Sequence, residues 1–450
     1  MSLLAIFATK SLAYRVIPAL VALCSFFAFS ALYLIDYKEL YFTILSIYGI
    51  FPFRFPFLDI SGSLAAWDCA RLGIDVVVHD PCDVLGRGYN YSPLWMAASF
   101  IPLGAGETAP VGWVLGLLFI LSLTLVPPAR RPWELVLVVL ATNSTMVVYA
   151  VERANPDILL FMMALAAGLL ARGPLLARVV AYLTALLAAL IKYYPITLLI
   201  LLFRERVAGF FANSLAMAVL LALFFAVYLA DVMRGVPLIA SGPYFFDLFA
   251  AKNLPFGLAQ FTFQPGGPAN FSFMLLGSCI YVLLVLGGVL ICRRILSDTT
   301  LRSTFSQISD YERIFVVVGS ALIVGCFFAG QSIGYRGVFL LFILPGLLAI
   351  TRIAPDLALR KLCRTAAIVL VLLMWEECFR LGLKAIFAHL DIPQFVDYLQ
   401  IVIFWLAREL AWWWIVSVMV AFLLSFLAES EIFQAVAGLS KRYLSARRAA

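Results

Sequence analysis

The stretch FSFMLLGSCIYVLLVLGGVLIC (271–292) carries no charged side chain and ends on Arg293-Arg294. A helix of that length is about 30 Å long, the thickness of the hydrocarbon core of a bilayer. Comparable apolar runs lie at 13–35, 111–127, 133–150, 156–171, 176–192, 207–230, 314–330, 337–351, 365–383 and 400–427, and a shorter one at 195–203 follows Lys192-Tyr193-Tyr194-Pro195. Two further stretches, 41–53 and 91–103, are too short to cross and are expected to form juxtamembrane helices lying along the membrane surface. The composition agrees with this reading. Hydrophobic residues make up 64% of the 450 and charged ones 13%, against roughly 45–50% and 25% in globular proteins, and the mean hydropathy is +1.03. No soluble core hides that much apolar surface. A soluble enzyme, a disordered chain and a secreted disulfide scaffold are excluded. The expectation is an all-α polytopic membrane protein, one integral membrane domain over 1–450 with about 12 transmembrane helices.

The remaining totals narrow the chemistry. The eight cysteines form no Cys-x-x-Cys pair and mostly sit in apolar runs, where they read as small hydrophobes. His79 and His389 are the only histidines, so a histidine-built zinc or haem site is not expected. The net charge of +7 comes from bases scattered in small groups between apolar spans, a topology signal and not a nucleic-acid surface.

With a cytoplasmic N-terminus and twelve alternating spans, most of the 32 basic residues, from Lys10 and Arg15 through Arg293-Arg294 to Lys441-Arg442 and Arg447-Arg448, fall on the cytoplasmic side. The acids are left in excess outside, as the positive-inside rule demands. Both termini are then cytoplasmic. The first apolar run is longer than the roughly 7–15 residues of a signal h-region, so it reads as an uncleaved span.

Two outer loops are long, 36–110 and 231–270, and loops of that length are usually functional. The first holds Arg54, Asp59, Asp68, Arg71, Asp75, His79, Asp80, Asp83 and Arg87. Asp75, Asp80 and Asp83 read as ordinary loop acids. Asp59 follows the aromatic and proline-rich segment 51–58, which would hold it near the apolar boundary, where a carboxylate loses hydration and gains basicity; that makes it a candidate general base. Three cation-bearing clusters lie at outer span ends: Glu152-Arg153-Ala154-Asn155-Pro156-Asp157, Lys192 before Tyr193-Tyr194-Pro195, and Gln331 to Arg336. Ionisable groups at that depth are costly and often functional. Three on one face point to an anion held at the membrane surface, and a lipid phosphate fits, gripped by arginine through paired hydrogen bonds and by lysine as a point charge.

From about residue 13 to 352 the chain resembles the GT-C superfamily of membrane glycosyltransferases, most closely glycosyltransferase family 87, which includes polyprenol-phosphate-mannose-dependent mannosyltransferases. The resemblance rests on Asp59 in the first outer loop, followed by small and aromatic residues up to Leu72-Gly73. Next come Tyr91-Ser92-Pro93-Leu94 with Pro102, the turn Arg153-Ala154-Asn155, and Lys192-Tyr193-Tyr194-Pro195. Glu152-Arg153 departs from the Gly-Gln usual in the family.

The resemblance implies a GT-C-like bundle and an inverting transfer of one sugar, a hexose such as mannose, at the outer face of the plasma membrane. The donor would be a polyprenyl-phosphate sugar and the acceptor a glycolipid or cell-envelope glycan, with no cofactor and no obligatory metal. Asp59 would be the base; Arg336, Lys192 and Arg153 would hold the donor phosphate; Tyr91, Asn155, Arg54 and Asp68 would shape the substrate pocket. A lipid-linked sugar flippase or transporter and a polysaccharide polymerase or ligase are the rival readings.

Other features carry smaller expectations. Cys69 and Cys82 share the first loop, and their pairing is left open. Trp412-Trp413-Trp414 reads as interfacial or lipid-facing. Glu376-Glu377 and Arg380 are spaced to pair one turn apart. Tyr244, Asp247, Lys252, Asn253 and Gln264 of the second loop would cover the acceptor site.

Overall fold

The computed structural model describes residues 11–77, 79–239, 244, 248–263, 269–390 and 394–437; Lys10, Asp247, Gln264 and the basic residues from Lys441 onward lie outside them. The chain opens with α1 (Ser11–Leu34), the short α2 (Lys38–Ile47), α3 (Leu58–Arg71) and one-turn α4 (Leu94–Ala97). It continues through α5 (Thr108–Ser122), α6 (Pro132–Thr142), α7 (Thr145–Glu152), α8 (Pro156–Leu170), α9 (Leu175–Ile191), a 3-10 segment (Tyr194–Arg204) and α10 (Val207–Gly235). The second half holds α11 (Asn253–Thr262), α12 (Asn270–Ser297), α13 (Thr299–Gln307), α14 (Asp310–Ala329), a 3-10 turn (Gly334–Phe339), α15 (Leu340–Ile353), α16 (Leu357–Met374), α17 (Glu376–His389) and α18 (Gln394–Glu429). The only strands among the described residues, β1 (Leu248–Phe249) and β2 (Ser332–Ile333), pair antiparallel and tie the second long loop to the segment before Arg336.

Local signals set the helix starts. Ser144 accepts from Val147 N at 3.5 Å and opens α7. Pro156 occupies the first turn of α8 behind Asn155, whose side chain accepts from Asp157 N at 2.9 Å. Ser309 and Glu312 form a reciprocal capping box at the start of α14.

Seven of the described helices are long and apolar enough to cross a membrane: α1, α5, α10, α12, α14, α15 and α18, the second, third and sixth counted with their flanking turns. An eighth arises if α6 and α7, bent by 40° at their junction, are one broken span. The apolar runs at 156–171, 176–192 and 195–203 fold as shorter apolar helices. The 365–383 run is divided at Trp375, whose indole donates to the Leu140 carbonyl at 2.9 Å, so α16 and α17 are separate helices.

Burial separates the helices into two populations. Only 11% of the apolar window of α12 and 17% of that of α10 are buried, although their hydropathies are 2.6 and 2.4. Flanks so apolar and so exposed are stable against hydrocarbon and not against water. The protein is therefore an all-α, multi-pass membrane protein. In contrast, 72% of the α14 window and 83% of that of α15 are buried. These two helices form the spine of the core, and a Cβ at Gly319 of α14 would lie 2.6 Å from Ile343 of α15, so only glycine permits their approach. Phe342 of α15 stacks on Phe161 at 4.2 Å and on Phe315 at 5.3 Å.

The aromatic triplet on α18 does not face lipid. Trp412 and Trp413 are buried, the first against Phe249 at 4.5 Å and donating to Glu376 at 3.2 Å, the second against Phe327 at 5.2 Å; Trp414 is half-buried. Three consecutive positions cover most of a helix circumference, so on a helix covered by α12, α14 and α16 at least two must point inward. Glu377 and Arg380 pair as their spacing foresaw, at 2.6 Å. Packing also adds Arg408, at 3.7 Å from Glu376, 3.8 Å from Glu377 and 2.7 Å from Glu409. In the second loop, Asn253 is buried and accepts from Gln331 at 2.9 Å, Tyr244 stacks on Phe256, and Lys252 is exposed.

Candidate active site

The turn between α7 and α8 is the platform. Ala154 adopts a left-handed backbone (φ 44°) that reverses the chain between Glu152 and Pro156, and the carbonyls freed at the end of α7 receive another part of the chain. Phe57 N donates to Glu152 O at 2.7 Å and Asp59 N to Arg153 O at 3.1 Å. Phe57 is itself left-handed (φ 68°). Non-glycine residues in this region cost energy and cluster where a site demands them. Here two such residues dock the start of α3 on the α7–α8 turn, and Asp59 ends beside Asn155, whose amide donates to its carboxylate at 2.6 Å.

Asn155 also links Asp59 to the cations. Its carbonyl oxygen accepts from Lys192 Nζ at 3.4 Å. Lys192, at the end of α9, pairs with Asp157 at 2.7 Å. Tyr194 donates its hydroxyl to the same Asp157 oxygen at 2.8 Å. Arg336 approaches the other oxygen at 3.9 Å, an ion-pair distance but no hydrogen bond, and among the described residues both Arg336 Nε and Asp157 Oδ2 remain without a hydrogen-bond partner. Asp157 is fully buried, and Lys192 and Arg336 are each 12% exposed. Aromatic rings hold the cations in place: Lys192 lies 5.6 Å from the Tyr91 ring and 5.7 Å from that of Tyr335, and Arg336 lies 4.9 Å from Tyr194. Two cations thus share one carboxylate, with hydrogen-bonding capacity unspent.

Asp59 lines a cavity of about 130 Å³ together with Asp80, Asp83, Arg87, Asn90 and Tyr91. The opposite wall is a loop stapled by a Cys69–Cys82 disulfide. Asp83 and Arg87 form a two-pronged pair at 2.9 and 3.1 Å. Asp80 is buried and accepts from Cys82 N at 3.0 Å; burial holds its carboxyl above the usual range, outweighing the pull of the amides of Cys82 and Asp83.

Of the residues singled out from sequence, Asp59, Asn155, Lys192, Arg336 and Tyr91 come together. Arg153 adjoins them without joining the Asp157 cluster. Its side chain pairs with Glu152 at 3.4 Å, donates to Phe51 O at 2.9 Å and lies over Tyr149 at 5.2 Å, while its carbonyl positions Asp59. Two residues fall elsewhere. Asp68 sits about two and a half turns along α3 from Asp59, pairs with Arg71 at 2.6 Å and accepts from Ala105 N at 2.8 Å, while Arg71 donates to the carbonyls of Ser99, Ile101 and Leu103. That pair fastens the 99–105 segment to α3. Arg54 is exposed, with no side-chain hydrogen bond or ion pair among the described residues.

Sequence reasoning missed Asp157, Tyr194 and Tyr335. The signal for Asp157 was present: a buried lysine needs a counter-ion, and an acid directly after Asn-Pro at a helix start supplies one. Tyr194 and Tyr335, being uncharged, carried no such signal. No protein-family model, curated protein or solved structure matches the chain.

Proposed function

We propose that the protein is a GT-C-type glycosyltransferase, similar to glycosyltransferase family 87, that moves one sugar, a hexose such as mannose, from a polyprenyl-phosphate donor to a glycolipid or envelope-glycan acceptor. What carries this reading is the relay Asp59–Asn155–Lys192/Asp157/Arg336, in which a carboxylate beside a cavity is linked through one amide to an under-neutralised pair of cations. Asp59 takes the proton of the acceptor hydroxyl as its oxygen attacks the anomeric carbon from the face opposite the phosphate. The anomeric C–O bond breaks and the phosphate leaves with the electron pair, its growing charge met by Lys192 and Arg336. The configuration at the anomeric carbon inverts.

In this reading α8, α9 and the Tyr194–Arg204 segment cross the membrane within a bundle of about 12 spans. Both termini are cytoplasmic, and the site faces outward from the plasma membrane, in agreement with the distribution of basic residues.

The test is transfer from a panel of radiolabelled polyprenyl-phosphate sugars by purified wild type and Asp59→Asn, with membrane lipids as acceptors. Transfer by wild type, lost in the variant while donor binding persists, is the expected result. A fully active variant would remove Asp59 from its role. Donor binding without turnover on any acceptor would favour the flippase reading, and processive chain extension the polymerase.

A further inference from the structure

A second, larger cavity adjoins the first. Its volume is about 410 Å³, and it lies between the end of α10 and the 70–97 segment. Tyr89 and Tyr91 line both cavities, so the two share a wall. The floor is apolar, with Ile74, Val76 and Met96; Tyr228, Asp75 and Asp231 complete it from the α10 side and the loop.

The chemistry of this lining is selective. Three tyrosines offer ring faces with hydroxyl tips, and two carboxylates offer acceptor oxygens. Among the described residues no basic side chain lines the cavity. Arg234, beside it, is engaged by Asp75 and lies 3.9 Å from Asp231. An anionic headgroup would meet carboxylates there, and a lipid chain would leave the Asp231 oxygens unmatched, since those of Asp75 already accept from Val77 N and Arg234. A neutral saccharide satisfies both halves: its C–H faces rest on the rings and its hydroxyls donate to the carboxylates.

We propose that this cavity binds the saccharide portion of the acceptor, delivering a hydroxyl past Tyr91 to Asp59. The assignment rests on the transferase reading for the acceptor role, though not for saccharide binding itself. It makes Tyr228 and Asp231, on a helix otherwise turned to lipid, determinants of acceptor specificity. The helix end is clasped to the loop by the Arg234–Asp75 pair and by Asn90, which donates to Leu238 O at 3.3 Å. The clasp fixes the width of the cavity.

The experiment uses the full-length protein in lipid nanodiscs and soluble, uncharged oligosaccharides (mannobiose, mannotriose, maltotriose and cellotriose) observed by saturation-transfer difference NMR. At least one is expected to bind wild type. Binding should weaken at least fivefold in Tyr228→Ala and in Asp231→Ala and be retained in Tyr228→Phe, which keeps the ring and controls for folding. Absence of binding to wild type, or signals unchanged in Tyr228→Ala and Asp231→Ala, would overturn the proposal. Donor turnover is measured in parallel. Saccharide binding that depends on Tyr228 without turnover of any polyprenyl-phosphate sugar leaves the cavity standing and removes the transferase reading. Turnover with an acceptor KM unchanged in Tyr228→Ala does the opposite.

Discussion

Two ionic clusters lie at opposite ends of α15, and they are built differently. Where α6 and α14 begin and α15 ends, Arg352 bridges Glu134 at 2.7 Å and Glu312 at 2.9 Å, and Arg130 lies 3.3 Å from Glu312. Two carboxylates face two guanidiniums, and the charge closes within the protein. Where α7 ends and α15 has yet to begin, Asp157 alone faces Lys192 and Arg336, and Arg336 stands off at 3.9 Å. Burial is similar, with Glu134 and Asp157 fully buried and Arg352 11% exposed against 12% for Arg336. The difference is direct pairing. A closed cluster fixes helix ends, whereas one whose second carboxylate, Asp59, is held off behind Asn155 leaves an unspent donor on Arg336 and a place for an anion.

This contrast can be broken experimentally. The largest effect is expected from Asp59→Asn, which keeps the hydrogen-bonding shape beside Asn155 and removes the proposed base; transfer should fall about 10²–10⁴-fold, with donor affinity near wild type by equilibrium binding. Next, Glu134→Gln strips a buried partner from Arg352 and should cost about 3–5 kcal/mol of stability, read as a lower thermal midpoint in detergent with donor KM little changed. Arg336→Met should invert that pattern, raising the donor KM about 10–100-fold, since a charge-assisted phosphate contact contributes about 1.5–3 kcal/mol, with little loss of midpoint. If the two variants behave alike, the distinction between the clusters fails. Arg336→Lys should recover only part of the loss, because a lysine cannot replace the guanidinium fork.

Smaller effects sharpen the boundary of the site. Removing the Cys69–Cys82 bridge, whose cysteines are 13 residues apart, frees a loop of a size for which chain entropy gives about 3 kcal/mol. Cys69→Ser with Cys82→Ser should open the 72–91 segment to limited proteolysis and reduce transfer several-fold while α14 and α15 stay protected from hydrogen exchange. Asp68→Asn should change kcat by less than about threefold, since that carboxylate fastens a loop and touches no cavity residue; surface-type substitutions rarely exceed about 0.5 kcal/mol.

The amino-acid sequence by itself determined the class of solvent around this protein and the position of its long apolar helices, though not of α3, α11 and α13. Apolar runs such as 207–230 and 271–292 can satisfy their backbone groups and their side chains only as helices in hydrocarbon, and caps such as Asn155-Pro156 and Ser309 to Glu312 act within a single turn. The chemistry-bearing residue types, Asp59, Lys192 and Arg336, were legible for the same local reason, being charges placed against apolar segments.

Tertiary structure alone decided which of them meet. Asp59 reaches Asn155 across 96 residues because Phe57 and Ala154 take left-handed backbones that no periodicity announces. Asp157 becomes the hub because α9 ends, and the 334–339 turn begins, over the start of α8. Asp68 and Arg54 share a loop with Asp59 and are turned away from it. Trp412 and Trp413 enter the core because neighbouring helices surround α18. Burial of a helix face depends on what packs against it, and long-range pairing of charges depends on where helices end in space, quantities that a linear pattern of residue types does not contain.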